Sequence, residues 1–346
     1  MKMHGLAAAA AWMVAALTNP TAALAQTKVN VGYTAAGDVT PVFLAKEKGF
    51  FEKRGLDVTL TRVALASTIP AALMSNSLQI GTGTGAGLLQ AVDGGLDLVT
   101  VSGASRQLKS NSTMSLLARK EAKIAAPADL KGKKIGVKGA ITPSVKAMLA
   151  KAGLVEGTDY QTVLLDGFDP KVHIEVPDIV GFPGYKSNEP KQLEAAGIPF
   201  KLYDPSDDGI PGSFGIIYTN STFLTEFPTA AEDFMRATMK GLADAIADPK
   251  AAAAVAVKAI EANNNPLFLS PEGEAARWEV ESGLVKDGIA PGKPAGLPLV
   301  DELTAEVTEY AAIGLFDGVA PDISSMADPS VLTKIYATDG TVIWPG

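Results

Sequence analysis

Apolar and polar positions alternate from Val29 to Tyr33, where Val29, Val31 and Tyr33 are separated by Asn30 and Gly32. That period of two predicts a strand. A polar loop with Gly37 and Asp38 follows. Thr40-Pro41 then reads as a helix start, with Thr40 as cap and Pro41 in the first turn, where its missing N–H costs nothing. Apolar positions carry that helix through Ala45 and Phe51 to a stop at Gly55, and Asp57 to Val63 returns to a strand. Strand, loop, helix, strand is a βαβ unit and implies a parallel sheet. In such sheets ligands bind beyond the carboxyl ends of the strands, and Tyr33 to Asp38 lies at one of them.

The same grammar continues. Ser67 or Thr68 is placed to cap a helix that starts at Pro70, and Gln79-Ile80 leads into Gly81-Thr82-Gly83-Thr84-Gly85-Ala86-Gly87 and a helix through Val92. Gly81, Gly83 and Ala86 fit a loose dinucleotide fingerprint, but the next strand, Asp97 to Val101, ends in Ser102-Gly103 with no acidic residue to hold a ribose. Two readings remain: a tight strand-to-helix turn, or a turn whose N–H groups and Thr82 and Thr84 hydroxyls face a ligand. After a strand from Thr113 to Arg119, the design begins again. Ile135 to Lys138 is a strand, Thr142 caps a helix with Pro143 first and Gly153 last, and Tyr160 to Leu165, Asp178 to Phe182 and Phe200 to Tyr203 are further strands. One helical turn is expected around Lys171, and Glu189-Pro190 opens a helix that ends at Gly197. Phe214 to Thr219 mirrors Thr113 to Arg119, which makes the two the expected hinge strands. From Pro228 the pattern is mainly helical, with Trp278 expected in the packing between helices. The expectation is an α/β protein of two doubly wound sheets, lobe 1 comprising 26–118 and 219–346 and lobe 2 comprising 119–218.

Composition narrows the function. The 346 residues allow two sizeable cores. Thirty Lys+Arg against 38 Asp+Glu argue against a nucleic acid or an anionic membrane surface as partner. Lys2 and His4 precede an apolar run from Leu6 to Leu17, broken by Asn19-Pro20 and followed by Ala23-Leu24-Ala25. Those are the parts of a cleavable signal peptide, residues 1–25, which would leave Gln26 first; a membrane anchor needs about 18 or more apolar residues. Without cysteine there is no disulfide, no thiolate metal site and no lipid-modified cysteine, and after cleavage His173 is the only histidine. A zinc site or a Ser-His-Asp triad would have to rest on it alone. No metal and no cofactor are expected.

Several segments carry a family resemblance. Gly32-Tyr33, Ala45-Lys46-Glu47-Lys48-Gly49-Phe50-Phe51 running on to Gly55-Leu56-Asp57-Val58, and Leu130-Lys131-Gly132-Lys133-Lys134-Ile135-Gly136-Val137 resemble the periplasmic solute-binding proteins of ABC importers. The branch is the one that takes nitrate, sulfonates, taurine, thiamine-related pyrimidines and riboflavin. Tyr185-Lys186-Ser187-Asn188-Glu189-Pro190 resembles its pyrimidine- and flavin-handling members. The resemblance implies two lobes of the type II-like arrangement closing on a solute. It also implies a soluble periplasmic monomer that partners an inner-membrane permease with its cytoplasmic ATPase. One departure stands out: where the family places a longer helix before the strand at Asp178, this chain has Val172-His173-Ile174-Glu175-Val176-Pro177.

The candidate ligand-binding residues are Tyr33, Asp38, Ser67, Thr68, Thr82, Thr84, Thr142, Tyr185, Asn188 and Glu189, with Arg106 and Lys138 read as solvated or ion-paired. Helix N-termini at Asp38 to Pro41, Ser67 to Pro70, Thr84 to Ala86 and Thr142 to Ser144 would offer N–H donors to one cleft. A carboxylate there repels an anion and accepts from ring N–H or amino groups. Glu189, with Tyr185, Asn188 and a facing Tyr33, therefore points to a heteroaromatic solute, pyrimidine- or flavin-like, over a sulfonate, taurine or nitrate. The alternative is that Asn188 and Glu189 only cap their helix. A receptor feeding a sensor kinase is a second reading of the whole chain. A pyrimidine-synthase-like enzyme is a third, and it lacks the histidine chemistry and cysteine-rich motif that the resemblance attaches to that activity.

Overall fold

The computed structural model describes residues 26–34, 39–102, 114–262, 270–289, 294–296 and 299–344. The expected signal peptide and the candidates Asp38 and Arg106 lie outside the described residues. The first sheet is built from β1 (Thr27–Tyr33), β2 (Leu56–Arg62), β3 (Ile80–Thr84) and β4 (Leu98–Ser102). Helices α1 (Thr40–Glu47), α2 (Ile69–Met74) and α3 (Gly85–Asp93) connect them. The second sheet contains β5 (Met114–Arg119), β6 (Lys134–Val137), β7 (Gln161–Leu164), β8 (Ile179–Tyr185) and β9 (Phe200–Tyr203). Its helices are α4 (Pro143–Lys151), α5 (Pro170–Ile174) and α6 (Glu189–Ala195). The chain then returns to the first sheet as β10 (Phe214–Asn220) and continues through α7 (Ser221–Glu226), α8 (Pro228–Ala247), α9 (Pro249–Ala262), α10 (Pro271–Gly288), α11 (Leu299–Ala312), α12 (Ile323–Met326) and α13 (Ser330–Ile335).

Both sheets follow one plan. Their strand orders are β2-β1-β3-β10-β4 and β7-β6-β8-β5-β9, and in each the fourth strand is the antiparallel one. Those two strands are the expected hinge pair. Among the described residues, β5 bonds only within the second sheet and β10 only within the first. Residues 114–118 therefore belong with the second sheet and 214–218 with the first, whereas the expected divisions at 118/119 and 218/219 gave each to the other lobe. The reason is that each strand pairs after its crossing, not before it. The crossing 204–213 is described, and Tyr310 on α11 donates to the Pro211 carbonyl at 2.9 Å, tying that crossing to the helix.

Local chemistry explains most element bounds. β1 buries Val29, Val31 and Tyr33 under α1 and α8. α1 stops at Glu47 rather than near Gly55. Gly49, at φ +66°, donates to the Lys46 carbonyl (3.0 Å) while Phe50 donates to that of Ala45 (2.9 Å), a Schellman closure, and Gly55 ends a separate 3₁₀ turn. Thr40 is the first helical residue, buried, and not a cap. α8 crosses α1 at Gly241, where an added Cβ would sit 2.4 Å from the Pro41 carbonyl oxygen, so only glycine allows the approach. Trp278 is buried between helices, its Nε1 donating to the Ala245 carbonyl at 3.1 Å.

Candidate functional site

In each sheet the strand order reverses at one crevice: between β1 and β3 in the first and between β6 and β8 in the second. Outside the carboxyl ends of the strands at such a reversal, no crossover helix covers the sheet edge, and ligands of open α/β sheets bind there. The residues that emerge are Thr34 and Thr84–Gly87 on one lobe, and Lys138–Thr142 and Tyr185–Glu189 on the other.

The second-lobe wall is the more completely built. Glu189 is only 3% exposed and turns inward. Its Oε1 accepts from Lys138 Nζ (3.2 Å) and its Oε2 from the Tyr185 backbone N–H (2.8 Å). The alternative of an outward-pointing helix cap is set aside: Glu189 is the first helical residue of α6, and its carboxylate reaches back to β8. Asn188 precedes α6 but makes no side-chain cap bond; its Oδ1 accepts from Gln192 Nε2 and from Arg277 Nη2, each at 2.9 Å. Thr142 does stand at the N-cap of α4, extended at φ −68°, ψ 140°, yet its hydroxyl caps nothing and has no partner among the described residues. Lys138 is ion-paired, as expected, and its Nζ lies 5.3 Å from the centroid of the Phe168 ring.

The first-lobe wall departs further from expectation. Thr84 caps α3, accepting from the Gly87 N–H at 3.0 Å. Thr82 is buried within the sheet and its hydroxyl donates to the neighbouring Gly32 carbonyl (3.4 Å), so it does not face a ligand. Tyr33 is fully buried, its ring edge-on to Phe43 at 5.4 Å, and it presents no open face toward Tyr185. Its hydroxyl has no partner among the described residues, and burial raises its pKa against the opposing pull of Arg62. Ser67 and Thr68 are exposed and cap nothing, because a 3₁₀ turn, Ala66–Thr68, runs straight into α2 and Thr68 is already helical; its hydroxyl donates to the Leu65 carbonyl (2.8 Å).

Two features of this region were not among the sequence candidates. α10 packs on α9 and α8 of the first lobe and reaches α6 of the second. Glu274, Arg277 and Glu281, spaced three and four apart on one face, are all buried there. Arg277 bonds Asn188 and pairs with Glu274 (3.3 Å), and Ser187 Oγ donates to Glu281 Oε1 at 2.7 Å. The charge stripe was readable as a helix face, but its burial was not. At the end of β3, Glu306 of α11 accepts from the Ser213 N–H at 2.7 Å. Complete burial pushes its pKa up to about 7, against the lowering effect of the Ser213 bonds. An added Cβ at Gly85 would lie 2.6 Å from a Glu306 carboxylate oxygen, so the carboxylate rests against the first residue of α3. Among the described residues no group of His, Asp and Glu could hold a metal ion, and no helix is long and apolar enough to cross a membrane.

Comparison with known proteins agrees with this architecture. The NMT1/THI5-like family profile matches residues 36–252. The riboflavin-binding protein RibY of Chloroflexus aurantiacus is 26% identical over 249 residues, covering 70% of this chain and 68% of RibY. The periplasmic aliphatic sulphonate-binding protein SsuA of Escherichia coli superposes with a TM-score of 0.67 at 17% identity, covering 86% of this chain and 91% of SsuA. The periplasmic nitrate-binding protein NrtA of Synechocystis does so at 0.65 and 14% identity, covering 89% and 88%. This chain belongs to the NMT1/THI5-like family and carries the two-lobed α/β fold of the periplasmic binding proteins.

Proposed function

We propose that the protein is the periplasmic solute-binding component of an ABC importer, that it carries out no reaction, and that it takes a neutral or weakly basic heteroaromatic solute, pyrimidine- or flavin-like, between its lobes and delivers it to the permease. The observation that carries the solute class is the Lys138–Glu189 pair at 3.2 Å. The ammonium at the β6/β8 crevice would otherwise attract a sulfonate or nitrate, but the buried carboxylate beside it neutralises it. The crevice is left with a polar edge of no net charge, and each carboxylate oxygen keeps a second lone pair for a donor on a ring. Tyr185 and Asn188 stand next to it. The name of RibY, a riboflavin-binding relative, supports the class. An anion binder would rest on Lys138 and on the N–H groups at the start of α4, with Glu189 working against it.

Calorimetry with riboflavin, thiamine, taurine and nitrate tests this. The wild type is expected to bind a ring compound, and Glu189→Gln and Tyr185→Ala each to weaken it by about 1–3 kcal/mol, as follows when a buried donor is left poorly paired. At about 100 times its Kd, the solute should add about 2.7 kcal/mol of stability in thermal shift. Equal binding by both variants, or a preference for taurine or nitrate, refutes the class.

A further inference from the structure

We infer that Phe168 is the ring on which the solute's flat face stacks, and that His173 is the positioning residue that holds it there; this rests on the heteroaromatic reading above. Phe168 follows β7, the neighbour of β6, at the same carboxyl edge that carries Lys138. It is 44% exposed, with the Lys138 ammonium 5.3 Å from its ring centroid. Isolated exposed apolar side chains are ordinary on protein surfaces. This one differs in that its loop is pinned on both sides. Before it, the Asp166 carbonyl accepts from His173 Nε2 at 2.9 Å, and since a carbonyl only accepts, Nε2 carries the hydrogen. After it, the Asp169 carboxylate accepts from the Lys171 N–H at 3.0 Å and starts α5. His173 is itself buried, edge-on to Phe182 of β8 at 5.6 Å. The short α5 thus fastens an aromatic ring beside the Lys138–Glu189 pair. A stacking face next to a neutral polar edge is what a flat heteroaromatic ring requires.

Riboflavin and thiamine serve as probes on the purified protein, with Kd read by calorimetry. Phe168→Ala is expected to raise Kd at least roughly fivefold, the low end of ring stacking, while Phe168→Trp keeps the affinity. Thermal unfolding of Phe168→Ala should match the wild type, because the side chain is largely outside the core. His173→Ala should raise Kd as well, and His173→Gln, whose amide N–H can reach the Asp166 carbonyl, should restore it. If the wild type binds a ring compound and Phe168→Ala binds it equally, the stacking role is overturned and the solute class stands. A wild type that binds neither ring compound overturns the class and this role together. Unaltered binding by His173→Ala overturns the positioning role.

Discussion

Glu306 shows how one residue can make this protein's stability depend on pH near neutrality. Burial disfavours its charged form, and the folded-state pKa rises from an ordinary 4.5 to about 7. Below about pH 4.5 the carboxyl is protonated in both states and the associated stability is fully present. As pH rises toward 7 the unfolded chain releases the proton that the folded chain keeps, so stability is lost through that window. Glu306→Gln keeps an oxygen for the Ser213 N–H and cannot ionise. At about pH 8 it is expected to be more stable than the wild type by on the order of 3 kcal/mol, and near pH 4.5 the two should converge. Urea titrations across that range check it, and parallel pH profiles would contradict it. Other carboxylates, such as the exposed Asp129 and the half-buried Asp159, held low by backbone bonds, act with the opposite sign and cancel in the comparison of wild type and variant. Nothing around Glu306 in the sequence announces this, because its neighbours Ser213 and Gly85 are distant in the chain and meet it only through β3, β10 and α11.

Among the elements, α10 has the greatest consequence. A helix that presents Glu274, Arg277 and Glu281 on one side would ordinarily be read as solvated on that side, yet here the stripe is buried against the Ser187-Asn188 turn. Removing one member of a buried charge cluster leaves the others uncompensated, so Arg277→Ala is expected to cost about 3–5 kcal/mol in urea denaturation. Lys191→Ala, on the exposed face of α6, is expected to stay within about 0.5 kcal/mol. A loss at Arg277 no larger than that at Lys191 would show that the stripe is hydrated in solution. The strands are the elements that the chain's own pattern revealed best, because period-two alternation and flanking glycines are local. The caps were read least well. Thr40, Thr68 and Asn188 have the right chemistry in the right places, but the backbone at Thr40 and Thr68 is already helical, and α10 claims the Asn188 side chain.

In the whole molecule, two lobes are held together by more than their crossings. α10 bonds the second lobe through Ser187 and Asn188, while α11 packs against both α3 and α4. Ligand binding is expected to shift an equilibrium between open and closed arrangements, and the α10 contact is expected to favour closure before any solute arrives. Small-angle scattering of the ligand-free protein should therefore give a larger radius of gyration for Ser187→Ala combined with Asn188→Ala than for the wild type. A saturating solute should bring the two together. An identical radius without solute would mean that the crossings and α11 alone set the separation.

The alternation of Val29, Val31 and Tyr33, the Gly-Thr stretch before α3 and the recurrence of the same pattern from Ile135 determined two α/β units of one design, since each signal acts within a few residues. They also determined which strand ends would carry loops, and hence that Thr84, Thr142, Tyr185 and Glu189 would lie near the two crevices. Only the tertiary structure decided what those side chains do. Tyr33 was drawn into the core because α1 and α8 cover its face of the sheet, and Glu189 was turned toward Lys138 because β6 and β8 are neighbours. Phe168 came beside Lys138 because β7 lies next to β6. The charges of α10 left water because a turn from the other lobe supplied partners for them. Burial, pairing and charge at a crevice arise from contacts between residues far apart in the chain, and local periodicity carries no information about them.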